Sequence, residues 1–236
     1  LAGSYYDWTM PKRNEKMVIV SCFRNIPLSR FLRYWYALIS QSYQDWGLIL
    51  IDDASDNGIH HFIKNLIKPF QNKVTFIQNR FRVGDAQNVY KAIHYFANNQ
   101  ESIICMYDAD DALIGRNALK KIDEKYTFLN ADVVIGKMYR TDKLQAHYKY
   151  KPNFTNPRLN GGNVWQHIRT FKKYLFDSLD FSDLKIKNQQ KQSDDILLAK
   201  RFSQKNVFPE YCSDFTHMIP IVEMSSNPMW INHFNI

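Results

Sequence analysis

Three aspartates, Asp108, Asp110 and Asp111, fall within four consecutive positions of CMYDADDALIG (Cys105 to Gly115), directly after the apolar run Ile103 to Tyr107. Carboxylates this close repel one another, and burying one unpaired costs on the order of several kcal/mol. A hard divalent cation relieves that repulsion. Asp108 and Asp110 stand at i and i+2 where a strand opens into a loop, so a turning backbone can bring both onto one ion. Mg²⁺ and Mn²⁺ take one or two protein carboxylates and keep positions for water and phosphate oxygens. The plain alternative is that the cluster caps the next helix. A second acidic pair, Asp52 and Asp53, closes the apolar run Leu48 to Ile51. Later in the chain, Asp195 (in Ser193-Asp194-Asp195) and Asp214 each precede an apolar, helix-like stretch. Either carboxylate suits a helix cap.

These groups need elements to carry them. Met17 to Cys22, Leu48 to Ile51, Val74 to Ile77, Ser102 to Tyr107 and Asp132 to Gly136 read as short strands that are apolar throughout. Helical patterns alternate with them over Leu28 to about Gln41, Ile59 to Ile67, 86 to 97 and Ala118 to Phe128. Continuously apolar strands alternating with helices predict a mostly parallel α/β sheet covered on both faces. Such sheets bind ligands outside the carboxyl ends of their strands. Ser21 to Asn25, Asp52-Asp53 and Asp108 to Asp111 all fall at those ends. Beyond Arg140 the pattern weakens: 142 to 163 reads as a loop, 164 to 180 as a helix, Lys185 to Ser193 as a polar insert and Asp194 to Phe202 as a short helix. Phe215 to Met224 reads as a last helix and Trp230 to Ile236 as a beginning strand.

The 236 residues suit one domain with a real core, about 16–140 forming a ligand-binding half and about 141–236 the remainder. A hydrophobic fraction of 45% excludes a disordered chain. The net charge of +8 favours an anionic partner, but the cations are scattered, which argues against nucleic acid. Cys22, Cys105 and Cys212 are odd in number and far apart, so reduced thiols and a cytoplasmic location are the expectation. No apolar run approaches the roughly 20 residues of a membrane helix, and no signal peptide is read. The oligomeric state is not legible.

The segment Tyr34 to Gly58, YWYALISQSYQDWGLILIDDASDNG, resembles the family 2 glycosyltransferases of the GT-A fold, whose matching stretch reads SxxxQxYxxxExIxVDDxSxD. Ser40, Gln41, Tyr43, Trp46, Asp52, Asp53, Ser55 and Asp56 carry the likeness. VIVSCFRN resembles the family's opening strand, with Ser21 and Phe23 in place of its Thr and Tyr. Arg82 to Asn88 resembles its GxxxARN helix start, with Gln87 where Arg is usual, and Asp108 to Asp111 resembles its metal-binding DxDD.

The resemblance implies a metal-dependent, inverting transferase that moves a sugar from a nucleotide-diphosphate donor, expected to be a UDP-sugar, to a glycan, lipid or protein hydroxyl. It implies donor contacts from Ser21, Phe23, Asp52, Asp53, Gly84, Asn88 and Asp108, and a Mn²⁺ or Mg²⁺ ion on Asp110 and Asp108, with Asp111 bracing the turn. Arg80 and Arg82 are candidate diphosphate neighbours. For the base, Ser193-Asp194-Asp195 resembles the family's usual ED, whereas Asp214 to Met224 resembles a subgroup pattern that follows a helix reading HLRTFK. His167-Ile-Arg169-Thr-Phe-Lys172 stands upstream at the matching distance, so Asp214 is preferred and Asp195 is the alternative. His167 and Arg169 are candidates to reach the acceptor or diphosphate, Trp165 a sugar-stacking platform, and His217 or His233 a late metal ligand. Two other readings compete. A sugar-nucleotidyltransferase would want a glycine-rich loop after the first strand, where SCFRNIPLS has no glycine, and a silent binding domain would not need both acidic pairs.

Overall fold

The computed structural model describes residues 10–146, 154–157, 167–180 and 213–234. Strands β1 (Met17–Phe23), β2 (Trp46–Asp52), β3 (Val74–Gln78), β4 (Ile103–Met106), β5 (Val133–Lys137), β8 (Arg169–Lys172) and β9 (Pro228–Phe234) form one seven-stranded sheet in the order β3-β2-β1-β4-β8-β5-β9. A separate two-stranded hairpin, β6 (Tyr139–Arg140) with β7 (Gln145–Ala146), follows β5. The pairs β1·β2, β1·β4, β2·β3 and β5·β9 are parallel, and β8 runs antiparallel to both β4 and β5. The mostly parallel sheet is thus the one predicted.

Its central strands β1, β2 and β4 are apolar on both faces, Ser21 and Asp52 apart, because both faces are covered. Met17, Ile19, Leu48, Leu50 and Cys105 pack against α1 (Leu28–Ile39), α2 (Ile59–Ile67) and α4 (Ala118–Leu129). The intervening Val18, Val20, Ile49, Ile51, Ile104 and Met106 pack against α3 (Asp85–Phe96), α5 (Lys173–Asp177) and α6 (Ser213–Met224). Successive strand residues point to opposite faces, so the sequence needs no polar alternation. Fully burying each such side chain contributes roughly 1.5–3 kcal/mol. Among the described residues, no helix is long and apolar enough to cross a membrane.

One expected element is corrected. The helix read over 164–180 is in the structure strand β8 followed by the short α5. Thr170 and Phe171 favour a pleated, buried slot. Thr170 Oγ1 donates to the Val134 carbonyl at 2.9 Å and accepts from Tyr126 at 2.8 Å, while Phe171 stacks on Phe176 across the opposite layer. The helix read at Asp194 to Phe202 and the candidates Asp195 and Trp165 lie outside the described residues.

Candidate active site

The carboxyl ends of β1, β2 and β4 meet at one edge of the sheet. Phe23 is in register with Asp52, the Asp53 N–H donates to the Phe23 carbonyl at 2.8 Å, and the Tyr107 N–H donates to that of Val20 at 3.1 Å. Both acidic segments therefore flank the end of β1. Ser21 is buried beneath them, its hydroxyl donating to the Tyr107 carbonyl at 2.5 Å and accepting from Tyr34 at 2.7 Å. Phe23 is also buried, with its ring 6.0 Å from Phe31. On the same strand, burial and then the neighbouring Asp85 push the Cys22 thiol well above its ordinary pKa, which keeps it neutral.

Asp52 and Asp53 carry different loads. Asp52 is fully buried. One of its oxygens accepts the Ser55 N–H at 2.8 Å, closing the turn after β2. The other, Oδ2, is buried without a hydrogen-bond partner, 3.9 Å from His60 Nδ1. Asp53 holds the loop after β3: Oδ1 accepts from the Asn79 side chain at 2.9 Å and the Val83 N–H at 2.8 Å, and Oδ2 from the Gly84 N–H at 2.9 Å. Gly84 has φ +91° at the start of α3, a conformation that side chains rarely adopt. Asn88 is buried in the first turns of that helix and accepts from Asn79 at 2.8 Å. The loop these bonds fix presents Arg80, Phe81 and Arg82 to solvent.

The cluster after β4 is organised by a turn in which the Asp111 N–H donates to the Asp108 carbonyl at 3.1 Å. The buried Tyr107 hydroxyl braces that turn, accepting the Leu113 N–H at 2.9 Å and donating to the Asp111 carbonyl at 3.2 Å. His167, just before β8, lies with Nδ1 2.8 Å from Asp111 Oδ2 and Nε2 3.2 Å from Asp108 Oδ2. Fully buried Arg169, on β8, places Nη2 3.4 Å from Asp108 Oδ1 and 2.7 Å from His167 Nε2. A guanidinium only donates, so in the neutral ring Nε2 accepts from Arg169 and Nδ1–H donates to Asp111. Burial and Arg169 push the imidazole toward neutrality, yet Asp108 and Asp111 outweigh them and hold its pKa above the ordinary histidine value.

Asp108, Asp111 and His167 each bring a ligand atom within 4.8 Å of the others. Two carboxylates and an imidazole, with the Asp108 side chain 51% exposed, form a donor set suited to Mn²⁺ or Mg²⁺. The structure therefore brings Asp108, Asp111 and His167 together. It leaves Asp110 half-exposed at the rim, 3.5 Å from Arg30 Nη1. From the sequence alone Asp111 has only a bracing role, and His167 falls within the helix expected over 164–180. The signal that locates the latter is spacing: read as a strand entry, His167 and Arg169 share a face at i and i+2.

The second half contributes α6, whose backbone includes Asp214. His217, on the same helix, is fully buried, its ring stacked 6.3 Å from Phe176, and does not join the carboxylate group. His233 falls on β9, where only the backbone is described.

Comparison with known proteins agrees with this architecture. Residues 17–184 match the family described as Glycosyl transferase family 2. A Bacillus subtilis (strain 168) protein named "Putative glycosyltransferase EpsE" is 29% identical over 112 residues, which are 48% of this chain and 37% of that protein. Among solved structures, S. aureus TarS 1-349 superposes with a TM-score of 0.61 at 12% identity, over 93% of this chain and 59% of TarS 1-349. TarS 1-349 has also been solved in complex with UDP and with UDP-GlcNAc. The mannosyltransferase PcManGT from Pyrobaculum calidifontis, in complex with GDP-Man and Mn²⁺, superposes with a TM-score of 0.54 at 16% identity, over 73% of this chain and 50% of PcManGT. The chain thus spans under two thirds of the length of each of these relatives.

Proposed function

Because the chain belongs to glycosyl transferase family 2 and carries its GT-A sheet, we propose that it is a metal-dependent, inverting glycosyltransferase that takes a UDP-sugar as donor and an acceptor hydroxyl as nucleophile. The observation that carries this reading is the convergence of Asp108, Asp111 and His167 at the carboxyl edge of the sheet. The complexes of the fold neighbours, with UDP-GlcNAc in one and with GDP-Man and Mn²⁺ in another, support it.

The roles divide as follows. Asp108 and Asp110 hold the cation, and Asp111 and His167 each bring a ligand atom within 4.8 Å of one on Asp108. When bound, the ion neutralises the charge that develops on the departing diphosphate. The donor nucleotide lies over the edge built by Ser21, Phe23, Asp52, Asp53, Gly84, Asn88 and Asp108. The buried members of that set shape it from beneath through the bonds described above. The acceptor side comes from residues about 141–236. There Asp214, or in its place Asp195, takes the acceptor's proton as its oxygen bonds to the anomeric carbon. The bond from that carbon to the diphosphate oxygen breaks on the opposite face, releasing nucleoside diphosphate and leaving the sugar on the acceptor oxygen with its anomeric configuration inverted.

The test is a panel of nucleotide sugars with and without Mn²⁺, first by thermal shift and then by release of nucleoside diphosphate, since stabilisation follows ligand concentration over dissociation constant. UDP-sugars should stabilise only with Mn²⁺ and should release UDP on turnover. Selective stabilisation by GDP- or CMP-sugars would overturn the donor assignment, and binding without any release would overturn the enzymatic one. Asp214→Asn should keep donor binding and lose turnover; normal turnover in that variant, with loss in Asp195→Asn, moves the base to Asp195.

A further inference from the structure

Arg169 stands out as a charge fully removed from water in the middle of the sheet, opposite Met106 on β4 and Ile135 on β5. A guanidinium does not discharge by losing its proton, and a buried charge is costly unless it is matched by partners. Its partners are informative. One nitrogen, Nη2, touches both Asp108 Oδ1 and His167 Nε2. Asp108 sits in the turn after β4 and His167 precedes β8, so both belong to irregular backbone, whereas Arg169 is anchored by ladder bonds on two sides. Being fully buried, it is not placed to touch a donor or an acceptor itself.

We propose that Arg169 is a positioning residue: from the rigid strand it sets the Asp108 carboxylate and the His167 ring relative to each other, and so sets how tightly the site takes a divalent cation. The inference rests on the metal-dependent reading above. Groups that orient metal ligands from behind change metal affinity or activity by roughly 10- to 100-fold when removed. Charge alone predicts the opposite sign, because a nearby cation repels the ion and its loss would tighten binding. Arg169→Lys separates the two effects, since it keeps the charge but replaces the planar guanidinium with a shorter ammonium that does not stand where Nη2 meets both partners.

The experiment measures turnover against Mn²⁺ concentration for the wild type, Arg169→Lys, Arg169→Gln and Thr170→Val, with melting curves for each. Thr170 is the adjacent residue on β8 and its hydroxyl bonds on the other side, to Tyr126 and Val134. Its loss therefore reports general damage to the strand. Arg169→Lys should raise the Mn²⁺ concentration for half-maximal turnover about tenfold, with excess Mn²⁺ restoring much of the rate, while Thr170→Val lowers the melting temperature and leaves the Mn²⁺ dependence at the wild-type value. Should the lysine variant not fold, Arg169→Gln, a shorter and neutral donor, is read instead: its lost charge favours tighter binding, so a raised Mn²⁺ requirement in it reports lost positioning. Wild-type Mn²⁺ dependence in the folded Arg169 variants, or an equal shift in Thr170→Val, overturns the inference. If wild-type turnover needs no divalent cation, the metal-dependent reading fails separately. Arg169 is then judged by kcat alone, and a loss no greater than that of Thr170→Val overturns it.

Discussion

Replacing Asp53 by Asn changes almost no volume but alters the loop between β3 and α3. The carboxylate accepts three hydrogen bonds, from Asn79, Val83 and Gly84. An amide has one acceptor oxygen. If it is placed toward Asn79 and Val83, the new NH₂ faces the Gly84 N–H across 2.9 Å, donor against donor. Leaving a buried donor unmet costs about 1–3 kcal/mol, and the two remaining bonds lose their charge assistance. A total near 3 kcal/mol follows, expressed first as local opening of the loop. At 1.4 kcal/mol per decade this is roughly a hundredfold rise in the open population. Arg80 and Arg82 stand exposed in that loop, so limited trypsin digestion reads the opening directly when reclosing outpaces cleavage. Asp53→Asn should be cut there about a hundredfold faster, whereas Asp56→Asn, at an exposed side chain outside the network, should not differ from wild type. Wild-type cleavage together with a wild-type urea midpoint in Asp53→Asn would refute the bracing role.

Asp132→Ala should destabilise the fold by about 2–4 kcal/mol in urea titration, because this one carboxylate receives Ser225, Ser226 and Asn227 where α6 turns into β9. Burial alone would raise the pKa of Asp132, but those hydrogen bonds hold it below the usual carboxylate value. Its contribution is therefore present above the unfolded pKa, near 4, and is lost as pH falls through the lower folded value. The wild type should accordingly lose stability on acidification by more than the Asp132→Ala variant does. For the cation, Asp108→Asn and Asp110→Ala should each abolish Mn²⁺-dependent binding of UDP in calorimetry. Retained binding in Asp110→Ala with loss in Asp111→Asn would instead place the ion in the Asp108, Asp111 and His167 group.

Much of this architecture was legible because burial on both faces leaves a plain mark: β1, β2 and β4 are almost wholly apolar runs, and the acidic groups stand at the ends of β2 and β4. What the sequence hid has physical causes. β8 is four residues long and two of them are cationic; its burial comes from filling a gap between β4 and β5, which no local pattern records. Asp52 and Asp53 were read alike as ligand-facing carboxylates. Yet the structure uses all three described bonds of Asp53 within the loop and buries Asp52 completely, and adjacency along a chain says nothing about which lone pairs tertiary contacts take. Asp111 read as a cap until a residue 56 positions later, His167, entered beside it.

The late arrival of β8 has a consequence for how the molecule assembles. β4 and β5 are close along the chain but never pair; the place between them is filled by a strand that brings Arg169 to a partner 61 residues away. Until that closure, each of the two apolar strands keeps an open edge, the kind of surface on which chains stick to one another. Long-range pairing of this sort is slow because the loop must close before any contact rewards it. Completion of the sheet and delivery of His167 and Arg169 to the acidic turn are one event, so a chain that has not finished folding has not brought His167 to Asp108 and Asp111.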